Sequence, residues 1–439
     1  MNPSLPPSRS RRPRIALSKS LIVLLVAIAL IVTETFGGAL RYYLDHAGLS
    51  ILMYPAKIAC LGLFALELFT FKGGRAFWTL MLLLTIASAL GMLHGAGPGN
   101  ILFSLYMYGP FLFGMVCGTH LEHRKRTLAL VVGLCLLASL GGVLLDKYTT
   151  VPWKGYSYSV GDTEVAGNLM WSADGVDRLA GFTRLSTTLA VILALYSLYL
   201  SAFIRSRLIL LPLFGISMAA IWITTNKSTA VAYACTLLLM PLLRHRMTCR
   251  VLFATVVAIG IALPIIGLTM DFDPNAPAAQ VGFLSSFYDR LIYTWPNLAH
   301  NQWVQGWQLW GAGFGMVGST VAAFPVYSAT VSMVADNSAM YLWATFGLGG
   351  LAVYCLLVPL MSLLRDKPTR LARALVCICF CLTLISWTTD IPEVSVADLF
   401  LGLAVSVALR RKAMPLTDSV SLRATIPRSP AFVTPLRTQ

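Results

Sequence analysis

The chain has 439 residues, of which 57% are apolar and only 12% charged, and its mean hydropathy is +0.74. A soluble domain is about a quarter charged, so a soluble globular enzyme is excluded. The formal net charge of +15 is spread over many short basic segments, which argues against a continuous nucleic-acid surface.

Apolar runs recur from end to end, and they predict an all-α, polytopic membrane protein. Twelve spans are expected, near 20–38, 49–71, 77–93, 101–118, 127–145, 179–202, 208–224, 228–243, 251–269, 337–363, 374–389 and 396–409. The first run follows Arg9, Arg11, Arg12, Arg14 and Lys19. No small-residue cleavage site follows it, so it reads as a retained helix and not a signal peptide. The expected organisation is a basic cytoplasmic head (1–19), a transmembrane region (20–409) and a basic, Pro-containing flexible tail (410–439).

Basic residues set the orientation. With the N-terminus inside, the head, the short loops at 71–76, 120–126, 203–207, 244–250 and 365–373, and the tail hold 25 of the 33 Lys and Arg. The outer segments hold seven: Arg41, Lys147, Lys154, Arg178, Arg184, Lys227 and Arg290. The last, Lys57, falls within the second span. Both termini are therefore expected in the cytoplasm. The nine cysteines lie in expected helices or on the basic side, so no outer disulfide framework is implied. Cys377, Cys379 and Cys381 are spaced i, i+2, i+4 in an apolar helix. That spacing does not bring all three to one face, so they read as buried small residues.

Two outer segments are long, 146–178 and 270–336. Long loops of this kind are usually functional. The first contains Trp153, Tyr156, Tyr158 and Trp171. The second contains Tyr288, Arg290, Tyr293 and tryptophans at 295, 303, 307 and 310. Trp303, Trp307 and Trp310 have helical spacing and suggest an amphipathic helix at the interface. Such a helix serves either membrane anchoring or stacking on sugar rings. Gly311-Ala312-Gly313-Phe314-Gly315 follows no strand and reads as a turn with close backbone approach.

Outer cations run against the topology bias. Lys227 lies in a short outer turn, Thr224-Thr225-Asn226-Lys227-Ser228-Thr229; it is either a snorkelling Lys or a ligand for an anion. Arg184 is expected just inside the sixth span, where it needs a polar cavity or a partner. Arg290 follows Asp289, and a local ion pair would account for it. Asp336-Asn337 stands where the longest outer segment re-enters a helix, and a carboxylate there is costly unless solvated or used. Together these residues suggest an outer site with cations for a phosphate group and a carboxylate for proton transfer. No Walker loop, dinucleotide fingerprint or H-E-x-x-H is present.

The order of these elements resembles the O-antigen ligase and Wzy-type polymerase superfamily of bacterial inner-membrane glycosyltransferases. Four pieces within residues 176–365 carry the resemblance. They are Arg178-Leu179-Ala180-Gly181-Phe182; Thr224-Thr225-Asn226-Lys227-Ser228, with Lys in the place of the family's Arg; Arg290 through Trp295 followed by Leu309-Trp310-Gly311-Ala312-Gly313-Phe314-Gly315; and Asp336-Asn337 with Leu342, Gly347 and Gly350, where the family has His-Asn. The resemblance implies transfer of a glycan from undecaprenyl diphosphate at the periplasmic face, with no metal or other cofactor. Carried over, Arg290 and Lys227 would grip the diphosphate and Asp336 would take the place of the base. Arg290 and Asp336 are thus the expected catalytic residues, with Lys227, Arg184, Arg178 and Asn337 binding substrate. His300-Asn301 is the backup for the base, although it lies mid-loop. The implied partners are the lipid-linked glycan, a glycan or lipid acceptor, membrane lipids and a chain-length regulator. Asp for His favours a polymerase of lipid-linked repeat units. A ligase passing the finished glycan to an acceptor is the alternative, and a lipid-linked glycan flippase is a further one.

Overall fold

The structure, a computed structural model, describes residues 18–71, 73–160, 163–169, 172–173, 176–274 and 284–410. The basic head as far as residue 17, the tail from residue 411 and Trp171 lie outside the described residues. The chain is 73% helical with almost no strand. The helices of the first half are α1 (Lys19–Thr35), α2 (Gly37–His46), α3 (Pro55–Leu68), α4 (Arg75–Leu93), α5 (Pro98–His123), α6 (Lys125–Tyr148), α7 (Ser186–Leu200), α8 (Arg207–Ile223), α9 (Lys227–Leu239) and α10 (Arg246–Thr269). Those that follow are α11 (Ser285–Asp289), α12 (Trp295–Val304), α13 (Ser319–Ala323), α14 (Ser338–Phe346), α15 (Leu348–Cys355), α16 (Leu357–Arg365), α17 (Arg370–Ile385) and α18 (Ser395–Leu409). Every apolar run expected to span holds at least one of them.

Among the described residues, five stretches are long and apolar enough to cross a membrane: α4, α5, α6, α10 and the run Leu348–Arg365. The α1–α2 pair, bent by 88°, makes a sixth if counted as one span. α7, α8, α9 and α18 are apolar but shorter. At 1.5 Å per residue they reach about 20–26 Å, short of a ~30 Å hydrocarbon core. Large apolar side chains such as Leu66, Leu137, Leu208, Leu211 and Trp222 are exposed on the outer helices, where lipid would cover them. α7 is buried on every side from Leu189 to Tyr199, as a helix apolar all round must be.

The close contact between α5 and α18 has a specific cause. Gly114 and Gly118 are four apart on α5, and Gly402 and Ser406 are four apart on α18. A Cβ on Gly114 would meet Leu399 O at 2.6 Å, and one on Gly402 would meet Phe111 O at 2.2 Å. Small residues let two backbones approach where lipid gives no hydrophobic drive. Buried polar ties add to this packing, including Thr35 Oγ1 with Tyr196 OH at 3.0 Å and Tyr354 OH with Ser386 Oγ at 2.8 Å.

The span expected at 337–363 is broken. Gly347 has φ +59 and ends α14. The break costs Ala344 and Thr345 their next-turn partners, and the glycine-rich loop replaces them. Ala312 N donates to Ala344 O at 2.7 Å and Gly313 N to Thr345 O at 3.2 Å, while Leu348 N donates to Leu309 O at 3.0 Å. Irregular backbone in a membrane protein is tolerated when protein groups satisfy it in this way. The loop can come that close because Gly311, Gly313 and Gly315 all have positive φ.

The tryptophan series does not form one amphipathic helix. α12 stops at Val304, and Gly306 turns the chain at φ +74. Trp307 is then buried and stacks on His94 at 4.6 Å, whereas Trp303 packs against Trp343 and Trp310 is exposed. The first long outer segment contains two small antiparallel pairs that the all-α expectation lacks: β1 (Ser157–Val160) with β2 (Thr163–Ala166), and β3 (Ser172–Ala173) with β4 (Val176–Asp177).

Gly313→Ala tests the inserted loop. Its Cβ would lie 2.2 Å from Gly91 N, in a backbone region closed to alanine. The substitution should destabilise by ~2–4 kcal/mol, combining strain with a displaced loop. Thermal unfolding in detergent should show a clear fall in midpoint; an unchanged midpoint would mean that the loop is not lodged there.

Candidate functional site

α14 begins at Ser338, and its N-cap is Asn337. The Asn337 side chain accepts from Met340 N at 3.0 Å and donates to Gly260 O at 3.0 Å and Trp387 O at 3.2 Å. It is fully buried. A cap alone is worth about 1 kcal/mol, and this one also ties α14 to α10 and to the end of α17. Its amide is committed at both ends, so Asn337 belongs to the framework of the site and is not open to substrate, contrary to the expectation.

The residue before it is strained. Asp336 has φ +49, one of two non-glycine residues with positive φ among those described. The other is Thr225, in the Lys227 turn. Such conformations cost about 1–3 kcal/mol and persist only where the surroundings impose them. Here Asp390 imposes it. Its Oδ2 accepts from Ala335 N and Asp336 N, and its Oδ1 from Asn337 N, each at 3.1 Å. One carboxylate thus collects three successive N–H groups.

Asp336 is thereby aimed at Arg290, with Arg290 Nη2 lying 3.0 Å from Asp336 Oδ2. The sequence left open a pairing of Arg290 with its neighbour Asp289; the structure instead joins it to a residue 46 positions away. Arg290 opens a π-helical turn, Arg290–Thr294, between α11 and α12. Single π turns recur at functional sites. Its Nη1 donates to Ser286 O at 2.6 Å and to Ser286 Oγ at 2.5 Å. Trp295, fully buried, fastens the following helix through Nε1 to Ala335 O at 3.1 Å. The loop that carries Arg290 is therefore tied to the residue next to Asp336. Side-chain exposures of 17% and 33% leave the pair reachable from solvent.

The Arg178 charge also reaches the Asp336 carboxyl. Burial pushes that carboxyl up from the usual range, and the Arg290 and Arg178 charges only partly pull it back. Asp390 is pushed up to about 8, first by burial and then by the Asp336 and Glu393 charges, against the pull of its backbone donors. Burial also raises Glu393, which accepts from Ser319 N at 2.7 Å and from the Ser319 hydroxyl. A carboxyl raised toward neutrality is a better base than an ordinary one.

The other expected residues lie elsewhere. Arg184 is not inside a span: α7 starts at Ser186, and residues 178–185 form a loop. Asp146 Oδ2 holds that loop by accepting from Ala180 N and Gly181 N, both at 2.9 Å. Lys227 opens α9 beside a depression of about 170 Å³ lined by Trp222, Thr225, Asn226, Lys227 and Ala230. Ligand pockets for small molecules run to ~300–1,000 Å³, so this one has room for a phosphate-sized group and not for a sugar chain. His300 is exposed on α12. No group of His, Cys, Asp and Glu suited to a metal occurs among the described residues, and Cys377, Cys379 and Cys381 are buried and free.

Asp390 and Glu393 are the site residues that the sequence reading missed. A signal existed: Trp387-Thr388-Thr389-Asp390-Ile391-Pro392-Glu393 places two carboxylates in a short outer turn between the last two expected spans. Comparison with known proteins adds no assignment, since no family model and no curated protein matches the chain.

The raised carboxyls have a pH signature. In the folded chain Asp336 and Asp390 keep their protons to higher pH than when unfolded, so the folded state binds more protons above the ordinary carboxylate range. The stability that these two groups contribute is then full at low pH and is lost as pH rises toward about 8. The unfolding midpoint should be higher at pH 5 than at pH 8.5, and Asp390→Asn should flatten the difference. A midpoint that rises over this interval would contradict the assignment.

Proposed function

We propose that the chain is an inner-membrane glycosyltransferase acting on a lipid-diphosphate-linked glycan, with polymerisation of repeat units as its reaction. The observation that carries this reading is the Arg290–Asp336 pair: a loop cation and a strained carboxylate, joined at 3.0 Å at the start of a broken helix. In this reading the shorter apolar helices are also spans, giving twelve crossings with both termini cytoplasmic. The pair then faces the periplasm of a bacterial inner membrane.

Each residue has a definite task in this scheme. Without substrate, Arg290 neutralises Asp336. A diphosphate competes for the Arg290 guanidinium, whose fork suits two phosphate oxygens, and Arg178 adds a second cation. Asp336, released, takes the proton of an acceptor sugar hydroxyl. That oxygen bonds to the anomeric carbon of the donor, and the carbon–oxygen bond to the diphosphate breaks, its electrons leaving with the diphosphate. The two arginines stabilise the charge that develops there. Asp390 touches no reacting atom; it positions Asp336. Lys227 contributes a point charge to a phosphate at its own depression.

Arg290→Ala and Asp336→Ala should each lower transfer at least ~100-fold, the scale of a lost charge-stabilising or proton-transfer group, with unchanged membrane expression. Lys227→Arg should keep part of the activity, because its charge survives. Activity that survives Asp336→Ala but is lost in His300→Ala would move the base to His300. In cells, deletion should collapse long glycan chains to single repeats. Long chains accumulating on the lipid carrier would point to ligation, and a normal ladder would sink the proposal.

A further inference from the structure

A second group of cations is built on α2 and the loop before α7. The 88° bend between α1 and α2 turns α2 toward the loop that precedes α7. Gly38 N and Ala39 N donate to Phe182 O at 2.8 and 3.2 Å. Only glycine allows this approach, since a Cβ on Gly38 would lie 2.4 Å from Thr183 O. The tie sets Arg41, three residues beyond Gly38, beside Arg184, two residues beyond Phe182. The two charges act on each other directly.

Each guanidinium is anchored through one nitrogen. Arg41 Nη1 donates to Gly37 O at 2.9 Å, and Arg184 Nε donates to Ala166 O at 3.0 Å. No ion pair to a carboxylate within 4 Å is found for either one among the described side chains. The nearby Glu34 carboxylate is already matched by Lys57 at 3.0 Å, and Glu393 is engaged by Ser319. Tyr54 and Tyr158 are further electrostatic neighbours of Arg184. The Tyr54 ring packs on Tyr106 at 6.2 Å, with the Lys57 ammonium over the Tyr106 ring. Two partly buried like charges repel, and the fold holds them together by backbone bonds; the Glu34 carboxylate near them is shared with Lys57, so three cations stand against it. Such an arrangement is costly until an anion occupies it, and forked donors next to phenolic hydroxyls suit phosphate oxygens.

We propose that Arg41 and Arg184, with Tyr54 beside them, form a second anion site that binds a phosphate group, supplied by a lipid headgroup or by a soluble phosphate compound. The site does not depend on the glycosyltransferase reading. It also gives Arg184 a role separate from that of Arg290.

The test uses the detergent-purified full chain in an Arg290→Ala background, so that the other centre does not contribute. Inorganic diphosphate and a short-chain phosphatidylglycerol are titrated separately by calorimetry. At least one should bind, and Arg41→Gln and Arg184→Gln should each weaken it at least about tenfold, the loss expected of a charge-assisted donor pair. Arg41→Lys should weaken it less. Binding of phosphatidylglycerol alone identifies a lipid headgroup, and binding of both identifies any accessible phosphate. Elution volume and unfolding midpoint check the fold. If Arg184→Gln misfolds through loss of its bond to Ala166, Arg41→Gln and Tyr54→Phe carry the test. No binding of either probe, or binding unchanged by Arg41→Gln, overturns the proposal.

Discussion

Three successive N–H groups on one carboxylate hold the candidate centre of this protein in register. Asp390 collects Ala335, Asp336 and Asn337 just before α14. It thereby joins the turn between α17 and α18 to the end of the longest outer segment. Everything that defines the candidate centre depends on that join. It holds Asp336 in a left-handed conformation that a non-glycine residue avoids unless forced. It also places Asn337 where its amide can cap α14 and reach Gly260 and Trp387. Trp295 bonds to Ala335, so even the position of Arg290 follows from the same few residues.

The same accounting of backbone groups explains the irregular parts of the fold. A chain in an apolar medium cannot leave amides unpaired. Where α14 breaks at Gly347, the glycine-rich loop supplies the missing donors to Ala344 and Thr345. Where the loop before α7 departs from helix, Asp146 supplies acceptors for Ala180 and Gly181. Asp146 and Asp390 are the same device used twice. Each is a carboxylate that gathers N–H groups of an irregular segment, Asp146 from the last turn of α6 and Asp390 from the turn between α17 and α18. Both sites are thus built from backbone that regular helices do not provide, and each is held by a carboxylate that takes no part in the chemistry proposed for it.

What the sequence shows is what local pattern can encode. Each apolar run marked a helix, and the positive-φ glycines at 311, 313 and 315 were legible as a turn with close backbone approach. Arg290 stood out as a cation against the topology bias and Asp336 as a carboxylate where a helix re-enters, and the structure brings them together. Pairing across distance is not legible in the same way. Nothing within a few residues of Asp390 indicates that it serves Asp336, because that contact exists only after the turn following α17 meets the start of α14. Arg184 was misplaced because the apolar residues before Ser186 merge with the helix in a hydropathy reading, although Gly181 at φ +56 ends any helix there. The three tryptophans share a spacing but not a helix, since Gly306 intervenes.

The charge balance at the centre explains why its parts are arranged as they are. Arg290 and Arg178 bring two positive charges, and Asp336 and Asp390 can bring two negative ones. If both carboxyls were ionised, the centre would be neutral and would hold an anion poorly. Burial raises Asp390 to about 8, so near neutral pH it carries its proton for much of the time. The centre then keeps close to one net positive charge. The hydrogen bonds to Asp390 survive this, because its oxygens accept from backbone N–H groups in either state. A residue that can position Asp336 without neutralising the arginines is what a site for an anionic group requires. An apolar residue in its place would leave three N–H groups unsatisfied, at a cost of about 1–3 kcal/mol each. A permanently ionised carboxylate would lower the affinity of the arginines for any anion. A raised carboxyl meets both demands, and it stands against the backbone of residues 335–337 because the turn between α17 and α18 folds over the start of α14.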